Sequence, residues 1–294
     1  MTIPPGTEIL RYAAFTADPA GGNPAGVVPD ATGLGDDQQL AIAADLGYSE
    51  TAFLTALGDR GYGARYFSPL AEVPFCGHAT IAAAVALAER TGPGRLRFET
   101  RAGTVPVDVA EGPGGTLVAT LTSVEPSVGP VSDADLDEAL AALGWSRADL
   151  DGSLPPRIAF AGARHLVLAA ATRERLADLA YDFDRLARFM TGLDLTTLQL
   201  VHRAGPDVFH VRDPFPVGGV VEDPATGAAA AAFGAYLREI EGLKEGELTL
   251  YQGDDLGRPG VLRVRIDRED NRIRVSGTAV PIPADEADAA GGLG

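Results

Sequence analysis

Cysteine is nearly missing from this chain of 294 residues: Cys76 is the one example, Trp is equally scarce and Met nearly so. A single thiol cannot close an internal disulfide or build a multi-thiolate metal centre, which fits a reducing compartment. Basic charge is nearly all arginine and is scattered, against 41 acidic residues, for a net charge of −17. With a pI near 4.6, the field repels phosphate backbones and argues against a nucleic-acid partner. No run of about 18 apolar residues occurs, and MTIPPGTEIL lacks a basic region followed by an apolar one. The expectation is a soluble cytoplasmic protein without a membrane partner. The histidines at 78, 165, 202 and 210 show no HExxH-type spacing, so no metal site is expected of them.

What the chain does contain is a near-repeat. EVPFCGHATIAAAVAL, from Glu72 to Leu87, returns 150 residues later as EDPATGAAAAAFGAYL, from Glu222 to Leu237. In each copy an acidic residue and a proline lead through a glycine into an alanine-rich apolar run, the pattern of a loop running into a buried helix. A period of 150 rules out a solenoid, whose repeats span roughly 20 to 50 residues. It predicts two similar halves, 1–122 and 123–284, each able to bury a core, with an acidic, Ala- and Gly-rich tail at 285–294 that reads as disordered.

Within the first half, strand-like stretches at 8–15 and 25–29 flank the turn formers Gly21, Gly22, Asn23 and Pro24. A helix at 36–46 stops at Gly47. Strands follow at 50–57 and 62–67, the alanine-rich helix at 78–90, and strands at 95–101, 103–109 and 116–122. Residues 123–131 hold two prolines and a glycine and read as a linker. Ser132 and Asp135 resemble a capping box for a helix closed by Gly144. Strands at 157–161, 165–171, 197–203 and 207–212, a helix at 182–191, the second alanine-rich helix at 226–240, and strands at 260–267 and 271–277 complete the reading. Both alanine-rich helices are apolar all round, hence central. The fold class is α+β: two pseudo-symmetric domains, each a barrel-like curled sheet around a central helix.

Three polar residues stand at suggestive places. Glu50, in YSETAFL, is either a solvated loop carboxylate or a general acid and base, a role that suits a carboxyl partly withdrawn from water. His78 falls in the first turn of the first central helix, either as a satisfied core or capping histidine or as a ring kept neutral by the positive helix end. Asp223, before Pro224, is either an N-cap or a site residue. The copies agree in their glycines and differ at His78 and Asp223, so equivalent loops carry different chemistry.

GGNPAGVV (21–28), YSETAFL (48–54), RYFSPLAEVPFCGHAT (65–80), VEDPATGAA (221–229) and QGDDLGRPGVLRV (252–264) resemble, in order, the landmarks of the phenazine biosynthesis PhzF-like family, of the diaminopimelate-epimerase-like isomerases. The resemblance spans nearly the whole chain. It implies two barrel-like domains flanking a cleft, no cofactor, a small carboxylate substrate and a homodimer. It also implies roles: Glu50 shuttles the proton, His78 and Asp223 support it, and Ser49, Gly77 and Gly227 meet the ligand, the glycines through backbone N–H groups. Ala228 stands where the family often has Ser, which removes one hydroxyl donor worth roughly 1 kcal/mol. Arg65 and Arg212 are candidate anchors for the carboxylate or, equally, surface ion-pair partners. Two alternatives stay open. FCGHAT also looks like the first thiol motif of proline racemases, but the second copy has no cysteine, leaving a racemase that pairs Cys76 with a non-thiol partner. The other is a ligand-binding domain without catalysis.

Overall fold

The computed structural model describes residues 6–283, and the expected disordered tail, 285–294, lies outside them. Chain contacts divide the described residues into two compact units, one running to Thr122 and resuming at Ser276, the other covering Ser123–Val275. No described helix is long and apolar enough to cross a membrane.

The first unit carries β1 (Leu10–Ala14), β2 (Asn23–Val28), α1 (Asp36–Leu46), β3 (Glu50–Gly58), β4 (Gly61–Phe67), β5 (Glu72–Val73), α2 (Gly77–Thr91), β6 (Gly94–Thr100), β7 (Gly103–Glu111) and β8 (Leu117–Thr122). From β1 the sheet runs antiparallel to β2, parallel to β3, antiparallel to β4, parallel to β6, then antiparallel through β7 and β8. The C-terminal strand, Arg274–Pro281, pairs with both β1 and β8 and closes an eight-stranded barrel. Alternation sets its inner face: in β6, Leu96 and Phe98 are buried while Arg95 and Arg97 point out. Helix α2 touches β1, β2, β3, β7 and β8 and is buried from His78 to Ala88. Its alanines allow that close fit, because a narrow helix is what a ring of strands can enclose.

The second unit carries β9 (Ser127–Pro130), α3 (Asp133–Leu143), β10 (Arg157–Phe160), β11 (Arg164–Ala169), α4 (Arg173–Ala177), α5 (Phe183–Gly192), β12 (Thr197–Gly205), β13 (Val208–Pro214), β14 (Glu222–Asp223), α6 (Gly227–Glu241), β15 (Gly246–Gln252) and β16 (Gly260–Ile266). From β10 the sheet runs antiparallel to β11, parallel to β12, antiparallel to β13, parallel to β15 and antiparallel to β16. That is the same alternation as β1 through β7, with β14 branching from β13 as β5 does from β4. Helix α6 packs on β9 to β12 and β16. On the opposite face, α3, Trp145 just beyond its end, and α5 bring Leu140, Trp145, Leu186 and Met190 onto Leu166, Leu168, Leu198 and Leu200.

Four departures from the sequence reading have local causes. The expected linker at 123–131 includes β9, which pairs with β10; Pro130 is tolerated because it ends the strand. Strand β15 went unread because Lys244, Glu245 and Glu247 mask the apolar alternation of Leu248 and Leu250, both buried. The second unit stops at Val275 rather than 284. The last strand, β17 (Arg274–Pro281), was placed at 271–277; its pairing with β1 carries it on to Pro281.

Candidate active site

Three local features bring side chains together at the start of α2. Gly22 adopts φ 54°, and a Cβ there would sit 2.1 Å from Ala14 O; only glycine allows the turn that launches β2 at Asn23. Strand β3 lies parallel to β2 with Ala25 opposite Glu50, so Asn23, Ser49 and Glu50 share one barrel end. Cys76 is the N-cap of α2, and its carbonyl accepts from Thr80 Oγ1 at 2.6 Å, whose oxygen also meets Tyr66 OH at 2.7 Å.

The His78 imidazole is the hub. Asn23 Nδ2 lies 3.1 Å from Nδ1 and Ser49 Oγ 3.3 Å from Nε2. Glu50 Oε2 is 3.5 Å from Nε2. Cys76 Sγ is 3.4 Å from Nδ1, 3.8 Å from Nε2 and 3.6 Å from Glu50 Oε2. With the Asn23 amide donating to Nδ1, the neutral ring carries its proton on Nε2, facing Ser49 and Glu50. Glu50 keeps 15% of its side-chain surface open against 6% for His78, so the carboxylate is the member a ligand reaches first. Gly77 is neither left-handed nor crowded: an added Cβ would find only Leu121 Cδ1, at 4.0 Å. Among the described residues Glu50, Cys76 and His78 form a group whose ligand atoms lie within 4.8 Å of one another. The spacing of the histidines in the sequence did not foretell this, because Glu50 comes from another element. A surface pocket of about 270 Å³ elsewhere on this unit, beside Phe53, Arg65 and Arg101, includes none of the three.

In the second unit Asp223 is buried and its Oδ2 accepts from Thr226 Oγ1 at 2.6 Å. Gln252 clamps the same loop: Nε2 donates to Asp223 O at 2.8 Å and Thr226 Oγ1 at 3.0 Å, while Oε1 accepts from Thr226 N at 2.9 Å. The next residue, Gly253, has φ 83°, and a Cβ there would strike Arg258 O at 2.2 Å. Gly227 and Ala228 open α6, the first buried and the second half-buried.

Behind this loop, Asp213 pairs across β13 and β14 with Asp223. It accepts from Thr197 Oγ1 at 2.8 Å, and Thr197 Oγ1 lies 2.8 Å from His165 Nδ1. The Gln199 amide reaches both Asp213 oxygens, at 2.8 and 3.1 Å. Burial pushes Asp213 well above the carboxylate range and holds His165 down to about 3.

Neither candidate anchor arginine is an uncommitted cation. Arg65 donates to Glu72 through Nε and Nη2, at 2.8 and 2.7 Å, and to Asp36 at 2.6 Å. Arg212 donates to Glu222 at 3.0 Å and to Ala177 O at 2.7 Å; the pair is buried, with side chains 9% and 1% exposed, rather than a surface pair. Burial pushes Glu222 up although the guanidinium pulls it down. These are the same strand positions in the two halves, so the repeat extends to an Arg–Glu pair. The sequence marks Asn23 only as a turn former and gives Thr226 and Gln252 no role, although all three fall inside the GGNPAGVV, VEDPATGAA and QGDD motifs.

Comparison with known proteins agrees with this architecture. The family model described as phenazine biosynthesis-like protein, PhzC-PhzF, matches residues 12–284. The Bacillus subtilis uncharacterized isomerase YfhB is 30% identical, covering 93% of this chain and 96% of that protein. Trans-2,3-dihydro-3-hydroxyanthranilate isomerase of Pseudomonas chlororaphis is 32% identical, covering 91% and 94%. A Bacillus anthracis PhzF-family crystal structure superposes with a TM-score of 0.84 at 27% identity, over 94% of this chain and 97% of that one. The chain belongs to the phenazine biosynthesis-like (PhzC-PhzF) family of isomerases with the epimerase-like fold.

Proposed function

We propose that this isomerase moves a proton between carbons of a small carboxylate substrate by general acid–base catalysis through Glu50, without a cofactor. The observation that carries the reading is the side-chain group at the start of α2. An accessible carboxylate faces a buried imidazole across 3.5 Å, and a helix N-terminus offers N–H groups to negative charge. Glu50 takes the proton from carbon, the C–H electron pair spreads into the conjugated acid, and the same carboxyl returns the proton to another carbon. Helix N–H groups offset the charge that develops between the two transfers. Ser49 and Gly77 meet the ligand, and the uncrowded backbone at Gly77 supports that role. From the family resemblance we assign a supporting polar role to Asp223, and substrate contact to Gly227 and to Ala228 through its backbone. The homodimer implied by the same resemblance is checked by light scattering.

The hydroxyanthranilate derivative named for the Pseudomonas relative is the first substrate to try. Glu50→Gln keeps the shape and removes the base, so kcat is expected to fall by about 10²- to 10⁴-fold with an unchanged melting temperature. Unchanged turnover would end the assignment. A second reading, an epimerase using Cys76 as base, is favoured by the thiol's place in the same group. It predicts that Cys76→Ser loses turnover as completely as Glu50→Gln.

A further inference from the structure

We propose that Gln252 and Thr226 are positioning residues for Asp223: Gln252 turns the Thr226 hydroxyl away from the start of α6 and onto the Asp223 carboxylate. That this arrangement serves turnover rests on the function proposed above; that it fixes the carboxylate does not.

One amide sets the direction of the hydrogen bonds. The Thr226 N–H can only donate, so the Gln252 atom 2.9 Å from it is the oxygen, Oε1. Nε2 is then the donor that faces Asp223 O at 2.8 Å and Thr226 Oγ1 at 3.0 Å. Thr226 Oγ1 thus accepts from Gln252, and its single proton goes to Asp223 Oδ2, 2.6 Å away. The result is a directed chain, amide to hydroxyl to carboxylate, that holds the Asp223 side chain in one orientation.

The helix shows what this diverts. Thr226 is the N-cap of α6, a place where a threonine oxygen ordinarily accepts from an N–H two or three residues on, yet it makes no side-chain cap. The first bond of the helix is made by its carbonyl, which accepts from Ala230 N at 3.0 Å. The N–H groups of Gly227, Ala228 and Ala229 precede the helical ladder and take no side-chain cap from Thr226. The same chain therefore provides both a fixed carboxylate and an uncapped helix start, the two features that the proposed function gives to substrate in this unit. The end of β15 is shaped to bring Gln252 there. Its residue is 1% exposed and pairs opposite Val211, and Gly253 lets the strand end close on the loop, since an added Cβ would come within 2.9 Å of Pro224 O.

The test is a double-mutant cycle on the full chain, read in kcat/KM with the hydroxyanthranilate derivative. Thr226→Val, which keeps the shape and removes the hydroxyl, and Gln252→Met should each lower kcat/KM by about 10- to 100-fold, the worth of a hydrogen bond to a charged group. Thr226→Ser should restore it to within about twofold, the ordinary scatter of additive changes. In an Asp223→Ala background Thr226→Val and Gln252→Met should each cost less than about twofold, because residues that act through Asp223 have nothing left to position. A mere staple for the loop would lower kcat/KM by the same factor in both backgrounds. That result, or a Thr226→Ser variant as slow as Thr226→Val, overturns the positioning role, as does full turnover by Asp223→Ala; Thr226→Val carries the cycle should Gln252→Met not fold. A crystal structure of Gln252→Met needs no turnover: the Thr226 oxygen should lie within hydrogen-bond distance of the Ala228 or Ala229 N–H, as an ordinary N-cap does. A Thr226 hydroxyl still held on Asp223 Oδ2 and away from the helix overturns the part given to Gln252. A wild type that turns over nothing defeats the proposed function and leaves that crystal structure to judge the chain of hydrogen bonds.

Discussion

Replacing Asp213 by Asn should change how stability responds to pH, by an amount set by one buried proton. Asp213 and His165 are both fully buried and joined through the Thr197 hydroxyl. Nδ1–H of a neutral His165 donates to Thr197, whose O–H donates to Asp213, and the protonated acid donates to the Gln199 side-chain oxygen that faces it. Unfolded, the groups titrate at 6.5 and 3.8; folded, burial drives the first down to about 3 and the second well up. Between about pH 4 and 6 the unfolded chain therefore holds a proton on His165 that the folded chain lacks, while Asp213 binds its proton more tightly in the folded chain than in the unfolded one. His165 alone makes stability rise with pH and fall away on acidification through that window. Asp213 alone makes it fall as pH rises. The His165 slope is about 1.4 kcal/mol per pH unit, and the Asp213 contribution runs against it. Asp213→Asn removes only the falling contribution. Its stability relative to wild type should climb from pH 4 to 6, and that of His165→Gln should drop by about 2.5 kcal/mol over the same span. Urea denaturation at several pH values, followed by circular dichroism, reads both differences, and other titrating groups largely cancel within each comparison. Parallel curves for wild type and Asp213→Asn would refute the proton placement.

Three further outcomes follow from packing and pairing. Breaking the buried Arg212–Glu222 pair with Glu222→Gln should cost about 3 to 5 kcal/mol, while Glu72→Gln in the more open counterpart, where Arg65 is 31% exposed, should cost at most about 1 kcal/mol; equal melting temperatures would contradict this. Gly234→Ala gains about 1 kcal/mol of helix propensity, but its methyl would lie 2.8 Å from Val264 Cγ1 and 2.9 Å from Ile273 Cγ2. Overpacking costs about 1 to 3 kcal/mol, so a net loss is expected in thermal unfolding, and a gain would show that the strands yield. Ala228→Ser, which returns a hydroxyl to the start of α6, should change KM for a hydroxylated substrate by about fivefold, the equivalent of one hydrogen bond, with kcat little changed; a collapse in kcat would place Ala228 closer to the chemistry.

The sequence was most readable where local chemistry sets structure. Both central helices declare themselves by a glycine start and all-round alanine, and they occupy Gly77–Thr91 and Gly227–Glu241 against expected spans of 78–90 and 226–240. Gly47 and Gly144 end their helices in the left-handed conformation, as glycine at those places foretold. Pairing between distant segments was not readable: nothing near β17 announces that its partner is β1, more than 250 residues earlier. Buried polar residues were equally hidden. Asp213 falls just past the strand expected at 207–212, yet cross-strand pairing seals it under Thr197 and Gln199. Glu50, Cys76 and His78 were noticed singly, but their meeting depends on the parallel register of β2 and β3, which no motif records.

The central claim is that the Glu50 carboxyl carries the proton from one carbon to another. It is tested most directly by running the reaction in D2O with the hydroxyanthranilate-type substrate and following product by NMR. The account predicts that wild-type protein forms product whose receiving carbon carries the substrate's own proton, replaced by deuterium only as far as the Glu50 carboxyl exchanges with solvent, and that Glu50→Gln forms little or no product. Product from Glu50→Gln at the wild-type rate and with the same isotope pattern would contradict it.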